Sequence, residues 1–285
     1  MSVLPPPADK ARFVAAMFDR IAGGYDRMNK LMTFGLDDWW RRITVRALAP
    51  AADAQMLDIG SGTGPFIPLL LASAPQGYVV GTDFTLAMMQ AGQARLTEQS
   101  AFVCGDAMQL PFADATFDII TAGFVIRNVV DIDTTFRELY RITKPGGKLA
   151  ILEVARPRLA LVRWGHRLYF ERIMPVLAGA LGADPVAYRY LPESSRLFPD
   201  PPVLADMLQA AGWKHVTYRL LPPNAVALHV AVKESGIRSR RVPAHRCAGM
   251  TAEIERTRRF SIDGSDQVGW RVMLKRSGSR RDAER

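Results

Sequence analysis

One carboxylate and three glycines are concentrated in a single short run, Asp58-Ile59-Gly60-Ser61-Gly62-Thr63-Gly64, at the end of the apolar stretch 55–59. Glycines placed where a strand empties let a ligand approach the backbone closely, because no Cβ stands in the way. Pro65 follows at the position expected to open a helix, where its missing N–H is harmless. The spacing is G-x-G-x-G, whereas a pyrophosphate-binding dinucleotide loop wants G-x-G-x-x-G. The sixth position is Pro65 counted from Gly60 and Ile67 counted from Gly62, so a dinucleotide is disfavoured. A tight strand-to-helix turn with no ligand would use the same glycines, so the loop needs support from elsewhere. Asp83 closes the apolar run 78–82, nineteen residues past Gly64. There a carboxylate can accept from both hydroxyls of a ribose, or cap a helix. After the next apolar run comes Cys104-Gly105-Asp106-Ala107, whose carboxylate can accept from an adenine amino group. Three such signals at successive strand ends point to an adenosyl ligand without a pyrophosphate.

Stepping outward, the elements that hold these residues alternate regularly. Strand-like runs occupy 55–59, 78–82, 101–104, 117–123 and 148–154, and helical spacing marks 65–73, 86–98 and 133–143. The order β-α-β-α-β predicts an α/β fold with a doubly wound, mostly parallel sheet. Helical 204–211 stops at Gly212, and runs 215–221 and 225–232, joined at Pro222-Pro223-Asn224, predict an antiparallel pair at one edge. Ahead of the sheet, 10–22 and 39–48 read as helices, with Gly23-Gly24 and a looser stretch 25–36 between them. They form an N-terminal helical cap over residues 1–48. Residues 49–233 form the main domain, with an insertion at about 156–200 that is rich in Arg, aromatics and Pro.

The combination of glycine loop and two strand-end carboxylates resembles the class I S-adenosylmethionine-dependent methyltransferases. That resemblance implies a Rossmann-like sheet of seven strands with an antiparallel last strand. It also implies S-adenosylmethionine as cofactor, held by Asp58, Gly60, Gly62, Thr63, Gly64, Asp83, Asp106, Ala107 and Gly123. The flanking motifs are more specific: Phe18-Asp19-x-Ile21-Ala22-x-x-Tyr25-Asp26-x-Met28-Asn29, Gly123-Phe124-x-x-Arg127-Asn128-Val129, Pro145-Gly146-Gly147 with Leu152-Glu153, Tyr188-x-Tyr190-Leu191 with Ser194, and Val226-Ala227-Leu228-His229. Together they resemble the ubiquinone/menaquinone-biosynthesis C-methyltransferases over about 13–233. The family's function implies methylation of a polyprenylated quinol ring, either demethylmenaquinol or a ubiquinone precursor. Asp37 stands where that family usually has His, Ala155 where it has Ser, and Val125 where it has Gly. Another lipophilic acceptor, or a cofactor-binding partner without catalysis, would share the same cofactor loop.

Methyl transfer from a sulfonium is an in-line displacement, so the acceptor carbon must be electron-rich and aligned. A quinone carbon is not, while a quinol deprotonated to a phenolate is. Arg127 is assigned to stabilising the phenolate and Asn128 to orienting the ring or a water; the alternative is that Arg127 caps a helix or pairs with Asp131 or Asp133. Tyr25, Tyr188 and Tyr190 are assigned to the quinol pocket. No histidine receives a role, and no spacing indicates a metal.

The 285 residues, 48% apolar and 23% charged, are ample for a globular core. The formal charge of +9 is uneven: 24 basic against 21 acidic residues up to 233, then 13 against 7 in 234–285. That tail lacks the aromatic interleaving of an RNA-binding module and reads as a disordered extension or as a tether to anionic lipid. Residues 159–181 suit an interfacial helix or a cap helix. Cys104 reads as a buried strand residue. The expected setting is cytoplasmic, with peripheral contact at the inner face of the membrane and homo-oligomerisation both compatible, and with no nucleic-acid partner.

Overall fold

The structure, a computed structural model, describes residues 4–156, 172, 184–235 and 272–274. Strands β1 (Gln55–Ile59), β2 (Tyr78–Asp83), β3 (Ser100–Cys104), β4 (Phe117–Gly123), β5 (Thr143–Val154), β6 (Lys214–Leu221), β7 (Val226–Val232) and β8 (Val272–Leu274) form one sheet in the order β6-β7-β5-β4-β1-β2-β3-β8. Strands β1 to β5 run parallel, while β7 is antiparallel to both β5 and β6. The chain travels from β1 to β2 and β3 on one side, then crosses to β4 on the other side of β1. Where the direction reverses, the loops after β1 and β4 diverge and leave a crevice at the carboxyl ends of the strands.

Both faces of the sheet are covered, which is why the parallel strands read as unbroken apolar runs. Side chains along a strand alternate between two cores. Met56, Ile119, Ala150 and Leu152 pack with Trp40, Leu48, Ile67 and Leu70. Leu57, Ile120, Leu149 and Ile151 pack on the opposite face with Phe136, Leu139, Leu204 and Trp213. The first face is covered by α3 (Leu36–Leu48) and α4 (Ile67–Ser73), the second by α6 (Ile132–Ile142) and α8 (Pro201–Ala210). Asp131 starts α6 by accepting from the Thr134 N–H at 2.6 Å, an N-cap worth about 1 kcal/mol.

Several boundaries differ from the sequence expectation. Residues 25–36 are not loose: α1 (Lys10–Ile21) is followed by a second helix, α2 (Tyr25–Thr33), that hairpins into α3 through Phe34 (φ 52°) and Gly35 (φ 75°). Helix α4 begins at Ile67 rather than Pro65, because the glycine loop continues through Gly64 and the Ile67 N–H donates to its carbonyl at 3.1 Å. The expected helix 86–98 divides into α5 (Leu86–Ala91) and a 3-10 turn, Gln93–Arg95. Between them, a Cβ on Gly92 would lie 2.2 Å from the Thr63 carbonyl oxygen. Lys144-Pro145-Gly146-Gly147 lies within β5 and not before it, as an irregularity between the pairings Phe117–Thr143 and Ile119–Lys148. The insertion contributes α7 (Pro185–Leu197), while the interfacial-helix expectation for 159–181 falls almost wholly outside the described residues. Most of the basic tail, and with it the expectation of a disordered extension or lipid tether, falls outside the described residues; its residues 272–274 supply an eighth strand, β8, which pairs antiparallel with β3 through Ala101–Leu274, Phe102–Met273 and Val103–Val272. Cys104 is only half-buried, its thiol 3.8 Å from the Phe84 carbonyl.

Candidate active site

The crevice holds a cleft of about 830 Å³, open solvent at its mouth included. Its floor comes from the strand ends: Gly60, Gly62, Asp83, Asp106, Ala107 and Gly123. Its roof comes from the cap, through Ala11, Val14, Phe18 and Tyr25, and its far wall from Phe124, Val125, Asn128, Val129 and Val130. The sheet side thus carries the cleft's two carboxylates, Asp83 and Asp106, beside the apolar Phe84, Met88 and Met108, while the cap side presents apolar and aromatic side chains.

The floor is built by hydrogen bonds within the loop. Asp83 Oδ2 accepts from the Gly62 N–H and Oδ1 from the Thr85 N–H, both at 2.8 Å, so its carboxylate braces the glycine loop as well as facing the cleft. Burial pushes the Asp83 carboxyl upward, and these N–H donors pull against it. Asp106 accepts from the Met108 N–H at 2.9 Å, which fixes its turn. Gly60 sits at φ 57°, and a Cβ there would lie 2.2 Å from a Val125 methyl, so the loops after β1 and β4 touch only because residue 60 has no side chain.

Asp58, Thr63 and Gly64 are not on the cleft surface; they stand behind it. Asp58 is buried, accepts from the Thr121 hydroxyl at 2.8 Å through Oδ1, and leaves Oδ2 with no hydrogen-bond partner among the described residues. Burial pushes its carboxyl up to about 7, against the opposing pull of the Thr121 hydroxyl and the Arg41 guanidinium. An orphaned carboxylate oxygen of this kind suits a cationic partner, because leaving a buried acceptor unmet costs about 1–3 kcal/mol. Thr63 donates its hydroxyl to Asp26 Oδ1 at 2.7 Å. Arg95 grips both, donating to Asp26 Oδ2 at 2.7 Å and to the Thr63 carbonyl at 2.9 Å. This bridge ties the cap to the glycine loop. Sequence reasoning assigned no role to Asp26 or Arg95, although Asp26 lies inside a quoted motif.

The two residues assigned to catalysis from the sequence part company. Asn128 lies on the cleft wall, where its Nδ2 donates to the Phe124 carbonyl at 3.3 Å and its Oδ1 accepts from the Tyr190 hydroxyl at 3.2 Å. Arg127 is turned away from the cleft. Its Nη1 donates to Glu153 Oε1 at 2.6 Å and to the Phe124 carbonyl at 2.7 Å, with the guanidinium 8% exposed and the carboxylate 1%. A buried carboxylate at the end of β5 outcompetes open solvent as the destination of that cation, and neither Asp131 nor Asp133 pairs with it in the described contacts. Arg127 is accordingly a positioning residue for the loop that carries Asn128. Lys10 of α1 holds the same loop from the other side, donating to the carbonyls of Arg127 at 3.1 Å and Val129 at 2.6 Å.

Of the three tyrosines, Tyr25 lines the cleft and packs edge-on against Phe18 at 5.8 Å. Tyr190 lies behind Asn128 and against Phe13, and burial raises its hydroxyl above the ordinary phenol range, so it remains a donor. Tyr188 belongs to α7, and its side chain falls outside the described residues. His229 is buried, with Nε2 2.9 Å from the Pro201 carbonyl, far from any chemistry. Among the described residues no group of His, Cys, Asp and Glu could hold a metal ion, and no helix is long and apolar enough to cross a membrane.

Comparison with known proteins gives the same picture. The chain is 54% identical over 233 residues to the demethylmenaquinone methyltransferase of Roseiflexus castenholzii, covering 81% of this chain and 98% of that one. It is 41% identical over 225 residues to its namesake from Clavibacter sepedonicus, covering 78% and 91%. The fold matches that of an S-adenosylmethionine-dependent methyltransferase from Thermotoga maritima, with TM-score 0.56, 22% identity and coverage of 77% and 99%. It also matches Haemonchus contortus phosphoethanolamine N-methyltransferase 2, solved with S-adenosyl-L-methionine, with TM-score 0.52, 15% identity and coverage of 68% and 52%. Residues 7–233 fit the sequence model of one family throughout, and the chain belongs to the ubiE/COQ5 methyltransferase family.

Proposed function

We propose that this enzyme methylates a ring carbon of demethylmenaquinol to give menaquinol, with S-adenosylmethionine as methyl donor. The observation that carries the reading is a cleft with two carboxylates at the strand ends facing an apolar cap, in a chain that covers 98% of a relative bearing that activity in its name. The sheet side fits the cofactor. Asp83 and Asp106 present carboxylates for a ribose and an adenine amino group, Gly60 and Gly62 admit close approach, and the unmatched Asp58 Oδ2 leaves behind the loop an acceptor that a cationic group would draw into its ionised form. When bound, S-adenosylmethionine supplies an electrophilic methyl on a sulfonium.

The chain's own residues supply binding and orientation. Val14, Phe18, Val125 and Val129 offer an apolar surface for a naphthoquinol and its prenyl tail. Asn128 has its amide fixed at both ends: the Tyr190 hydroxyl donates to Oδ1, and one Nδ2 hydrogen goes to Phe124, which leaves the other to donate to an acceptor in the cleft. A donor at a hydroxyl oxygen of the quinol stabilises the phenolate that makes the neighbouring carbon nucleophilic. Enclosure between cap and sheet excludes water and holds the reactants in line.

The test is incubation of the purified chain with S-adenosylmethionine and a chemically reduced, short-chain demethylmenaquinone, followed by mass spectrometry of the extract. A quinol heavier by one methylene unit is expected, and none from the oxidised quinone. Tight binding of S-adenosylhomocysteine with no methylated product from the quinol would refute the acceptor while leaving the cofactor site standing.

A further inference from the structure

The hairpin between α2 and α3 carries an exposed face that the methyl-transfer site does not use. Along α2, Arg27 and Lys30 are exposed, and Phe34 is exposed at the turn that follows; along α3, Trp39, Arg42 and Arg46 are. Spacings of three and four place Arg27 and Lys30 on one stripe of α2, and Trp39, Arg42 and Arg46 on one stripe of α3. The stripes adjoin, because Lys30 Nζ reaches across the hairpin to Asp38 Oδ2 at 3.7 Å. Of the three carboxylates in 25–48, Asp37 is buried against Arg41 and Asp26 is held by Arg95, leaving Asp38 as the acidic member of this face against four cations.

The order along the stripes matters as much as the composition. The two aromatics, Phe34 at 77% exposed and Trp39 at 38%, stand at the hairpin end, and on both helices the cations recede behind them. An apolar tip backed by a cationic ring matches the layering of a bilayer, in which acyl chains lie beneath anionic headgroups. A nucleic acid would meet its phosphates at the outermost surface, where this face presents rings. Phe34 is also held at φ 52°, a left-handed backbone unfavourable for a bulky residue.

The face also lies next to the cleft. Tyr25, at the start of α2, lines it, and the nine residues of that helix rise about 13 Å to the tip. Trp40, the inward neighbour of Trp39, packs its ring 6.2 Å from that of Phe124 on the cleft wall. We infer that the α2–α3 hairpin is a membrane-docking surface that seats Phe34 and Trp39 at the interface of an anionic bilayer, with Arg27, Lys30, Arg42 and Arg46 on its headgroups. The inference does not require the acceptor to be a quinol, though it would place the cleft beside the phase in which a prenylated acceptor is dissolved.

The experiment is flotation of the full chain with vesicles of phosphatidylglycerol and phosphatidylcholine, or of phosphatidylcholine alone. The chain should bind the anionic vesicles, and a Phe34→Asn/Trp39→Gln variant should bind about tenfold more weakly or worse. Arg42→Gln/Arg46→Gln should lose roughly thirtyfold at low salt. Asn is tolerated in the left-handed region, so the first variant should keep its fold, checked by circular dichroism. As a second readout, bromine-labelled acyl chains should quench the tryptophan emission of the wild type, and Trp39→Phe should remove most of that quenching. Equal binding by both double variants and the wild type would assign the affinity to the basic tail and overturn the inference. A dimer that Phe34→Asn/Trp39→Gln converts to monomer would make this face a contact between copies and overturn it as well.

Discussion

Asp58 makes the burial of the cofactor loop measurable. Its carboxyl rises from 3.8 to about 7 because the fold removes it from water and supplies one hydrogen bond, from Thr121. The raised value means that the folded chain holds a proton which the unfolded chain has already released. The associated stability is fully present below about pH 4, declines as pH rises, and is gone above about pH 7. At about 1.4 kcal/mol per unit, the whole window amounts to about 4 kcal/mol, and the span from pH 5 to 7, where the folded carboxyl is half ionised, to about 2 kcal/mol. Asp58→Asn keeps the shape and the Thr121 contact but cannot ionise. Urea denaturation of both proteins without cofactor, at pH 5, 6, 7 and 8, should show the variant gaining on the wild type by about 2 kcal/mol from pH 5 to 7 and levelling off at pH 8. Parallel profiles across that range would refute the reasoning, since they would mean that Asp58 ionises in the folded chain as freely as in the unfolded one. The same variant should bind S-adenosylhomocysteine more weakly by calorimetry, because the neutral amide no longer offers charge to a cation.

Gly92→Ala places a methyl 2.2 Å from the Thr63 carbonyl oxygen, and should cost about 1–3 kcal/mol in denaturant titration together with a loss of cofactor affinity. Tyr190→Phe removes the donor to Asn128; kcat should fall about two- to tenfold with cofactor affinity unchanged, since a neutral hydrogen bond contributes about 0.5–1.5 kcal/mol. Glu153→Gln strips the buried Arg127 of its counter-charge and should destabilise the protein by about 3–5 kcal/mol in thermal or urea unfolding. Arg95→Gln loosens the bridge between cap and glycine loop, and should raise the KM for S-adenosylmethionine more than it lowers kcat in steady-state assays.

The strand ends were legible in the sequence because a parallel sheet covered on both faces writes each strand as a continuous apolar run, and Gly60, Asp83 and Asp106 mark where each run stops. Helix α2 was hidden by glycines on both sides, which read as loop although Met28 is buried against the rest of the cap. The direction taken by Arg127 could not be read locally, because it is decided by Glu153, twenty-six residues away on a neighbouring strand. Gly92 passed for a helix interior position for a similar reason, since what excludes a side chain there is the backbone of another loop. Nor does β8 have a recognisable signal: three residues in a basic stretch give no period to read.

That short strand bears on how the molecule should be prepared. Without Val272–Leu274, the amides and carbonyls of β3 that face away from β2 would form an open rim of the sheet, and such rims recruit other chains. Ending a clone at Lys233, as the family boundary invites, would uncover this rim, so the shortened protein should precipitate more readily even though its cleft is unchanged.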